Sequence, residues 1–259
     1  MNIQGVGEEA ITTAFKLLGY SRRKSVKKGF SDDPVVCRKR VEFAEVAIHW
    51  SKERLYRQMF SDEVWANGGA HTMEYMTVKA DGSEKLDPKT VTHKYSKLPA
   101  WMFFGTITIR GKKPAHFWEK GEGTINSTKY DQRVLSKIQG YFELHAVERL
   151  VFMQDNAPSH RSKETTENLR RRHIPTIKHP AYSPDLNLIE HVWNWMKNWI
   201  QEKYWQAQYN AAKIPLPQLR RIIWEAWNAV PNDYIESLYN SWWKRCQVVI
   251  DAKGGPTKY

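Results

Sequence analysis

Cysteine is nearly missing from this chain. Cys37 and Cys246 are its only two, far apart and without metal-ligand spacing, which argues against both a disulfide framework and a zinc finger. A reducing compartment fits that scarcity. Long apolar runs are also missing, since none approaches the roughly 20 residues that a membrane helix needs. The first residues, MNIQGVGEEA, carry acids and no apolar h-region, so the chain reads as soluble and without a secretion signal. It has no internal repeat and no low-complexity tract. Acidic charge is in short supply: Asp+Glu number 28 against 40 Lys+Arg, a basic surplus of 12 (40 − 28). Such a surplus raises affinity for polyanions through counterion release and favours nucleic acid over a neutral small substrate, although it can also serve solubility alone.

What is present is enough to fold unaided. With 259 residues, 41% of them hydrophobic, the chain can bury the core of one large or two modest domains. Residues 7–19 read as a short helix, with Ile11, Ala14, Phe15 and Leu18 at helical spacing and Gly19 as the stop. The basic tract 20–28 follows, and its Arg22, Arg23, Lys24, Lys27 and Lys28 suit phosphate contacts, a nuclear address or an ordinary solvated linker equally. Asp33-Pro34 opens a second helix over about 34–50, and a domain boundary is expected near residue 50. This divides the chain into a helical and basic segment, 1–50, and a larger domain, 51–259.

Beyond residue 50 the pattern changes to short apolar runs bounded by turn residues. Strands are expected at 55–60, with Asp62 at the C-terminal end, at 101–109, 115–118, 150–153 and 174–177. Helices are expected at 128–147, 162–172, from 186 onward, at 217–229 and at 232–250, while 81–100 reads as an excursion. Strands interleaved with helices imply an α/β fold, a mixed sheet covered on both faces. Eight of the 12 tryptophans fall between Trp193 and Trp243, a density that suits helix-packing core better than a base-stacking surface.

Three carboxylates carry the chemistry. Asp62 and Asp155 are each expected at the end of an apolar strand, where ligands of open α/β sheets gather, and Glu190 opens a helix that can reach the same edge. Three acids from separate segments of a basic protein suit two Mg²⁺ ions acting on nucleic acid, because these hard cations take oxygen ligands and the polyanion needs positive surroundings. Each acid also has a plainer reading: an aspartate closing a strand forms turns, and a glutamate in a first helical turn complements the helix dipole. Glu63 and Asp185 are the nearest competitors for the ligand positions.

The runs MFSDE (59–63), VFMQDNAPSH (151–160), YSPDLNLIEHVWNWMK (182–197) and RCQVVIDAKGGPTKY (245–259) resemble the catalytic domain of the Tc/mariner superfamily of cut-and-paste DNA transposases, over essentially all of 51–259. Between Asp155 and Glu190 lie 34 residues (190 − 155 − 1), the spacing of the branch whose third acid is Glu. The resemblance implies a ribonuclease-H-like fold, with Asp62, Asp155 and Glu190 as ligands of Mg²⁺ or Mn²⁺. It implies hydrolytic cleavage of double-stranded DNA at transposon ends, then attack of the freed 3′-hydroxyl on a TA-containing target. Asn156 and His160 would position the ligands or the substrate, although His160 could equally be a satisfied loop histidine.

A homodimer and a nuclear location are expected from the same resemblance, or cytoplasm and nucleoid if the host is prokaryotic. Complete members carry two helix-turn-helix units ahead of the catalytic domain, and only the end of the second has a counterpart here, around 8–18. The stretch Ser241-Trp-Trp-Lys-Arg245 departs from the proline-containing form common in the family and should alter a helix junction without touching the acids. Two other functions remain open: a catalytically silent, domesticated DNA-binding protein, and a nuclease of the same fold acting on RNA or branched DNA.

Overall fold

The computed structural model describes residues 8–24, 26–27, 30–67, 75–79, 91–92, 100–118, 125–155, 157, 160–204 and 215–259. They belong to two compact units, one of Met1–Gly29 with His71–Tyr95, the other of Phe30–Ala70 with Ser96–Tyr259. In the first, helix α1 (Glu8–Leu17) stops at Gly19, whose φ of +79° is the left-handed conformation that glycine takes most cheaply. Strands β1 (Tyr20–Lys24) and β2 (Val26–Lys27) follow. The described part of the basic tract, 20–24 and 26–27, is therefore strand where a linker was one expectation. The pairing is long-range: β1 runs antiparallel to β4 (Tyr75–Lys79), and β2 parallel to β5 (Val91–Thr92). Nothing alternates in Tyr-Ser-Arg-Arg-Lys to announce it. Lys28, and most of the excursion expected at 81–100, lie outside the described residues.

In the second unit, Asp33 caps helix α2 (Pro34–Ala47) by accepting a hydrogen bond from the Val35 amide at 2.7 Å. This helix buries Arg40, Ala44 and Ala47 and lies along the last helix of the chain. It thus packs with the larger body, on the far side of the boundary expected near residue 50. Ser51 then caps a short helix, α3 (Lys52–Tyr56), where a strand was expected at 55–60. The strand starts later and runs further, as β3 (Gln58–Asn67). Asp62 consequently sits in mid-strand.

The remaining strands are β6 (Ala100–Thr108), β7 (Gly111–Lys112), β8 (His116–Phe117), β9 (Val151–Met153) and β10 (Thr176–Ile177). Among the described residues they make, with β3, a six-stranded sheet in the order β10-β9-β3-β6-β7, with β8 also on β6. Pairing is parallel for β10/β9 and β9/β3 and antiparallel elsewhere, the mixed sheet the sequence implies.

Helices cover both faces. Over one lie α4 (Ser127–Tyr130), a π-helical turn (Asp131–Leu135), α5 (Ser136–Leu144) and α6 (Lys163–Arg171), packed on Met59, Phe104 and Phe152. The single helix expected at 128–147 is widened by that turn, at which the Asp131 carboxylate takes two 2.8 Å hydrogen bonds from Arg172. Over the other face lie α2, α7 (Ile189–Lys203), α8 (Leu216–Ala229), α9 (Asn232–Asn240) and α10 (Trp242–Asp251). The helix expected at 232–250 breaks at Ser241, whose hydroxyl donates to Leu238 O and accepts from Arg245 Nε. Among the described residues no helix is long and apolar enough to cross a membrane.

Tryptophan builds this second face as expected. Phe103 on β6 meets the rings of Trp193, Trp224 and Trp227 edge-on at 6.0, 5.1 and 5.5 Å, and Trp50 stacks on Trp242 at 5.3 Å. Tyr239 threads a polar group through the same core: its buried hydroxyl donates to Gln58 O at 2.7 Å and lies 3.2 Å from Ile107 O. Tyr239→Phe is expected to cost about 1–2 kcal/mol in chemical denaturation, because a buried carbonyl loses its donor while packing is kept.

Candidate metal-binding active site

The acids meet through the strand register. β9 ends at Met153, which pairs with Phe60, so continuing the parallel ladder by two residues sets Asp155 alongside Asp62. Ser61 reinforces the junction by donating its hydroxyl to Met153 O at 2.7 Å. Alternation along β3 turns Phe60 and Asp62 toward α7, and Ser61 and Glu63 toward α4. Glu190 stands in the first turn of α7, with its amide on Asn187 O at 3.1 Å. Asn187 is buried and donates its side-chain amide to Ser61 O at 3.3 Å, which ties the start of α7 to the strand beside Asp62.

Electrostatics report the same convergence. Burial pushes the Asp62 carboxyl well above its ordinary range, and the charges of Glu190, Glu63 and Asp155 push it further in the same direction. Burial, the largest influence on Asp155, would raise it, but the hydrogen bond and charge of His160 and the Ala157 amide together outweigh burial and hold that carboxyl below its usual value. His160 is buried, with Nδ1 2.6 Å from Asp155 Oδ1, Nε2 3.4 Å from Glu63 Oε1 and its ring 4.5 Å from that of Tyr130. Burial alone would lower its pKa, yet the two carboxylates lift it to about 10, so at neutral pH it is a cation lodged between them. Gln154 fixes this loop by donating to His160 O while accepting from the Tyr130 hydroxyl.

Asp62, Asp155 and Glu190 thus lie near enough for the charges of the other two to act on Asp62, and Glu63 and His160 belong to the same neighbourhood. The sequence reading treats Glu63 as an impostor and leaves His160 between two roles. Only the facing directions of neighbouring strand residues distinguish Glu63, and its spacing from Asp62 in the chain could not. Asn156 lies outside the described residues. Arg22, Arg23, Lys24 and Lys27 fall on β1 and β2 of the smaller unit. Among the described residues no three His, Cys, Asp or Glu side chains close on one point at ligating distance, and Asp155 is turned onto His160. Crowded carboxylates that repel one another draw closer when a proton or a cation neutralises them. Oxygen donors, crowding and the raised Asp62 carboxyl are the donor chemistry that a hard divalent ion fits.

Asp185, the other competitor, is accounted for elsewhere. Its buried carboxylate takes hydrogen bonds from Arg40 at 3.0 and 2.7 Å and from Thr257 at 2.9 Å. Arg40 also donates to Gly254 O at 2.8 Å and Tyr182 O at 2.7 Å, and Arg245 donates to Asp185 O at 3.0 Å. Gly254, at φ +76°, lies against the Cys37 carbonyl with no room for a side chain. This junction clamps α2, α10 and the C-terminal tail onto the loop that leads into Glu190. Sequence reasoning missed Arg40, which looks like its neighbours in Cys37-Arg-Lys-Arg-Val; only its helical phase with Ala44 and Ala47 could have marked it.

The fold is thus a mixed α/β sheet between two helical layers, with acids gathered beside its parallel pair. The family model for the DDE superfamily endonuclease matches residues 57–210, and the chain belongs to that family. It is similar to the Tcb2 transposable-element transposase of Caenorhabditis briggsae, at 28% identity over 245 residues, covering 93% of this chain and 83% of that protein. Its fold matches that of the Mos1 transposase in a paired-end complex with the left transposon end, at TM-score 0.70 and 18% identity over 98% of this chain and 72% of the other. The Mos1 catalytic domain solved with raltegravir and Mn also matches, at TM-score 0.63 and 15% identity over 88% and 99% of the two chains. The ribonuclease-H-like fold implied by the sequence is the one observed.

Proposed function

We propose that this chain is the catalytic region of a DNA transposase, in which Asp62, Asp155 and Glu190 hold divalent metal for cleavage of double-stranded DNA at transposon ends and for strand transfer into a target. The observation that carries this reading is the convergence of acids from β3, the end of β9 and α7, with Asp62 held well above its ordinary ionisation by burial first and by its acidic neighbours next. Bound Mg²⁺ or Mn²⁺ would supply Lewis-acid stabilisation of phosphoryl oxygens and a nucleophile at neutral pH. Glu63 and the His160 cation orient Asp155, and the Ser61 and Asn187 hydrogen bonds hold the three supporting elements together. The basic surplus of 12 over Asp+Glu suits a polyanionic substrate. Arg22, Arg23, Lys24, Lys27 and Lys28 are the tract we assign to phosphate contacts. A homodimer acting in the nucleus is the assembly this reading favours.

The test is cleavage of supercoiled plasmid with Mg²⁺ or Mn²⁺, comparing the protein with its Asp155→Ala variant. The expected outcome is metal-dependent nicking that falls by at least about a hundredfold in the variant, the scale of removing one charge-stabilising contact. Equal nicking by both, or DNA binding without nicking under either metal, would leave a DNA-binding protein in place of an enzyme.

A further inference from the structure

Gly105 lies directly opposite Asp62 in the β3/β6 ladder, so the two residues share the face that looks onto α7. A Cβ at that position would stand 2.6 Å from Trp193 Cη2, and 2.9 and 3.1 Å from Trp227 Cη2 and Cζ3. The first of these falls about 1 Å short of ordinary carbon contact. Both rings are buried, at 2% and 3% exposure, and both are wedged by Phe103, two residues along the same strand face. A side chain at 105 would therefore force one or both rings, or the helices that carry them, to shift. The backbone at 105 is ordinary strand and not the left-handed kind, so what the position excludes is volume.

Trp193 follows Glu190 by three residues, one turn along the same side of α7. The missing side chain at 105 therefore sets how closely this helix rides on the sheet, and so how near Glu190 stands to Asp62. We propose that Gly105 is a positioning residue for the acid cluster: by admitting the tip of Trp193 onto β6 it sets the distance between Glu190 and Asp62 that metal binding requires. This rests on the reading of Asp62 and Glu190 as ligands. Asn187, bonded to Ser61 O, fixes the same helix along the strand direction, and Gly105 fixes its height above the sheet.

The test measures Mn²⁺ affinity by calorimetry, thermal unfolding in EDTA, and plasmid nicking across a metal titration, on the full chain. Gly105→Ala is expected to unfold cooperatively, to bind Mn²⁺ at least about tenfold more weakly, and to need correspondingly more metal for half-maximal nicking. Ile138→Ala, in the core of the opposite face, is expected to lose stability with no change in Mn²⁺ affinity, which separates positioning from general loosening. Trimming the nearer of the two obstructing rings, in Gly105→Ala/Trp193→Leu, is expected to restore part of the affinity, the remainder being withheld by Trp227 at 2.9 Å. Affinity within twofold of the parent in Gly105→Ala, while Glu190→Ala abolishes binding, overturns the proposal and leaves the ligand reading standing. Unchanged binding in Glu190→Ala overturns the ligand reading itself. If Gly105→Ala fails to fold, the double variant decides: a folded protein with recovered Mn²⁺ affinity supports the steric account, and one that stays unfolded or weak overturns it.

Discussion

Asp62→Asn should give a protein that no longer cuts DNA and yet, without metal, melts higher than its parent. Asp62 is the acid most penalised for its charge, by burial first and then by Glu190, Glu63 and Asp155. Its folded pKa lies above its unfolded one, so the native state binds the extra proton. The charge penalty is therefore absent at low pH, grows as pH rises past the unfolded value, and is complete above the folded pKa. Asparagine has the shape of the protonated acid and no charge to repel. In EDTA at neutral pH the variant is expected to gain about 1 kcal/mol, the usual size of relieving a strained functional site, and the advantage should vanish as pH falls.

Saturating Mn²⁺ should reverse the order, since a cation that binds only the folded parent stabilises it by mass action. Nicking should fall by at least about a thousandfold, because an amide oxygen carries no net charge to hold the metal against its own hydration. Thermal melts from pH 5 to 8, with and without Mn²⁺, together with plasmid nicking, check all three outcomes. An Asp62→Asn protein that melts lower than its parent in EDTA would show that Asp62 is a structural partner and not the centre of an uncompensated acid cluster.

Arg40→Met is expected to cost about 3–5 kcal/mol, since it strands the Asp185 carboxylate in a buried site without its counter-ion. It also removes the donor to the Gly254 and Tyr182 carbonyls. For a chain of this size that corresponds to a fall of roughly 10 °C in the unfolding midpoint. Arg40→Met/Asp185→Leu should recover much of the loss, because removing both charges spares the desolvation that one alone cannot offset. A double variant as unstable as the single would place the stabilisation in the carbonyl contacts and not in the ion pair. Loss of this junction should also reduce cleavage, as it holds the loop ahead of Glu190.

Most of the helices and the mixed sheet were readable because their apolar spacing is a local property. The misplacements share one cause. Ser51 caps a helix within a stretch that reads as strand, and β3 runs on to Asn67 because β6 offers eight paired positions, from Phe60↔Ile107 to Asn67↔Ala100. The tract from Tyr20 is drawn into a ladder by Tyr75–Lys79, remote in the chain. At Ser241 a hydroxyl competing for a helix carbonyl divides what periodicity shows as one helix. In each, a distant partner or a single hydrogen bond overrules the local pattern.

By itself the amino-acid order determined the motifs that carry Asp62, Asp155 and Glu190, the alternation of strands and helices and the tryptophan-built core, each written in residues near one another. Only the tertiary structure decided which acids assemble. It sends Asp185 to Arg40, brings Glu63 into the cluster through a buried histidine, and lets one glycine admit a helix against the sheet. Pairing register, burial of charge and the room left by a missing side chain arise between segments distant in the chain, so no local pattern can carry them.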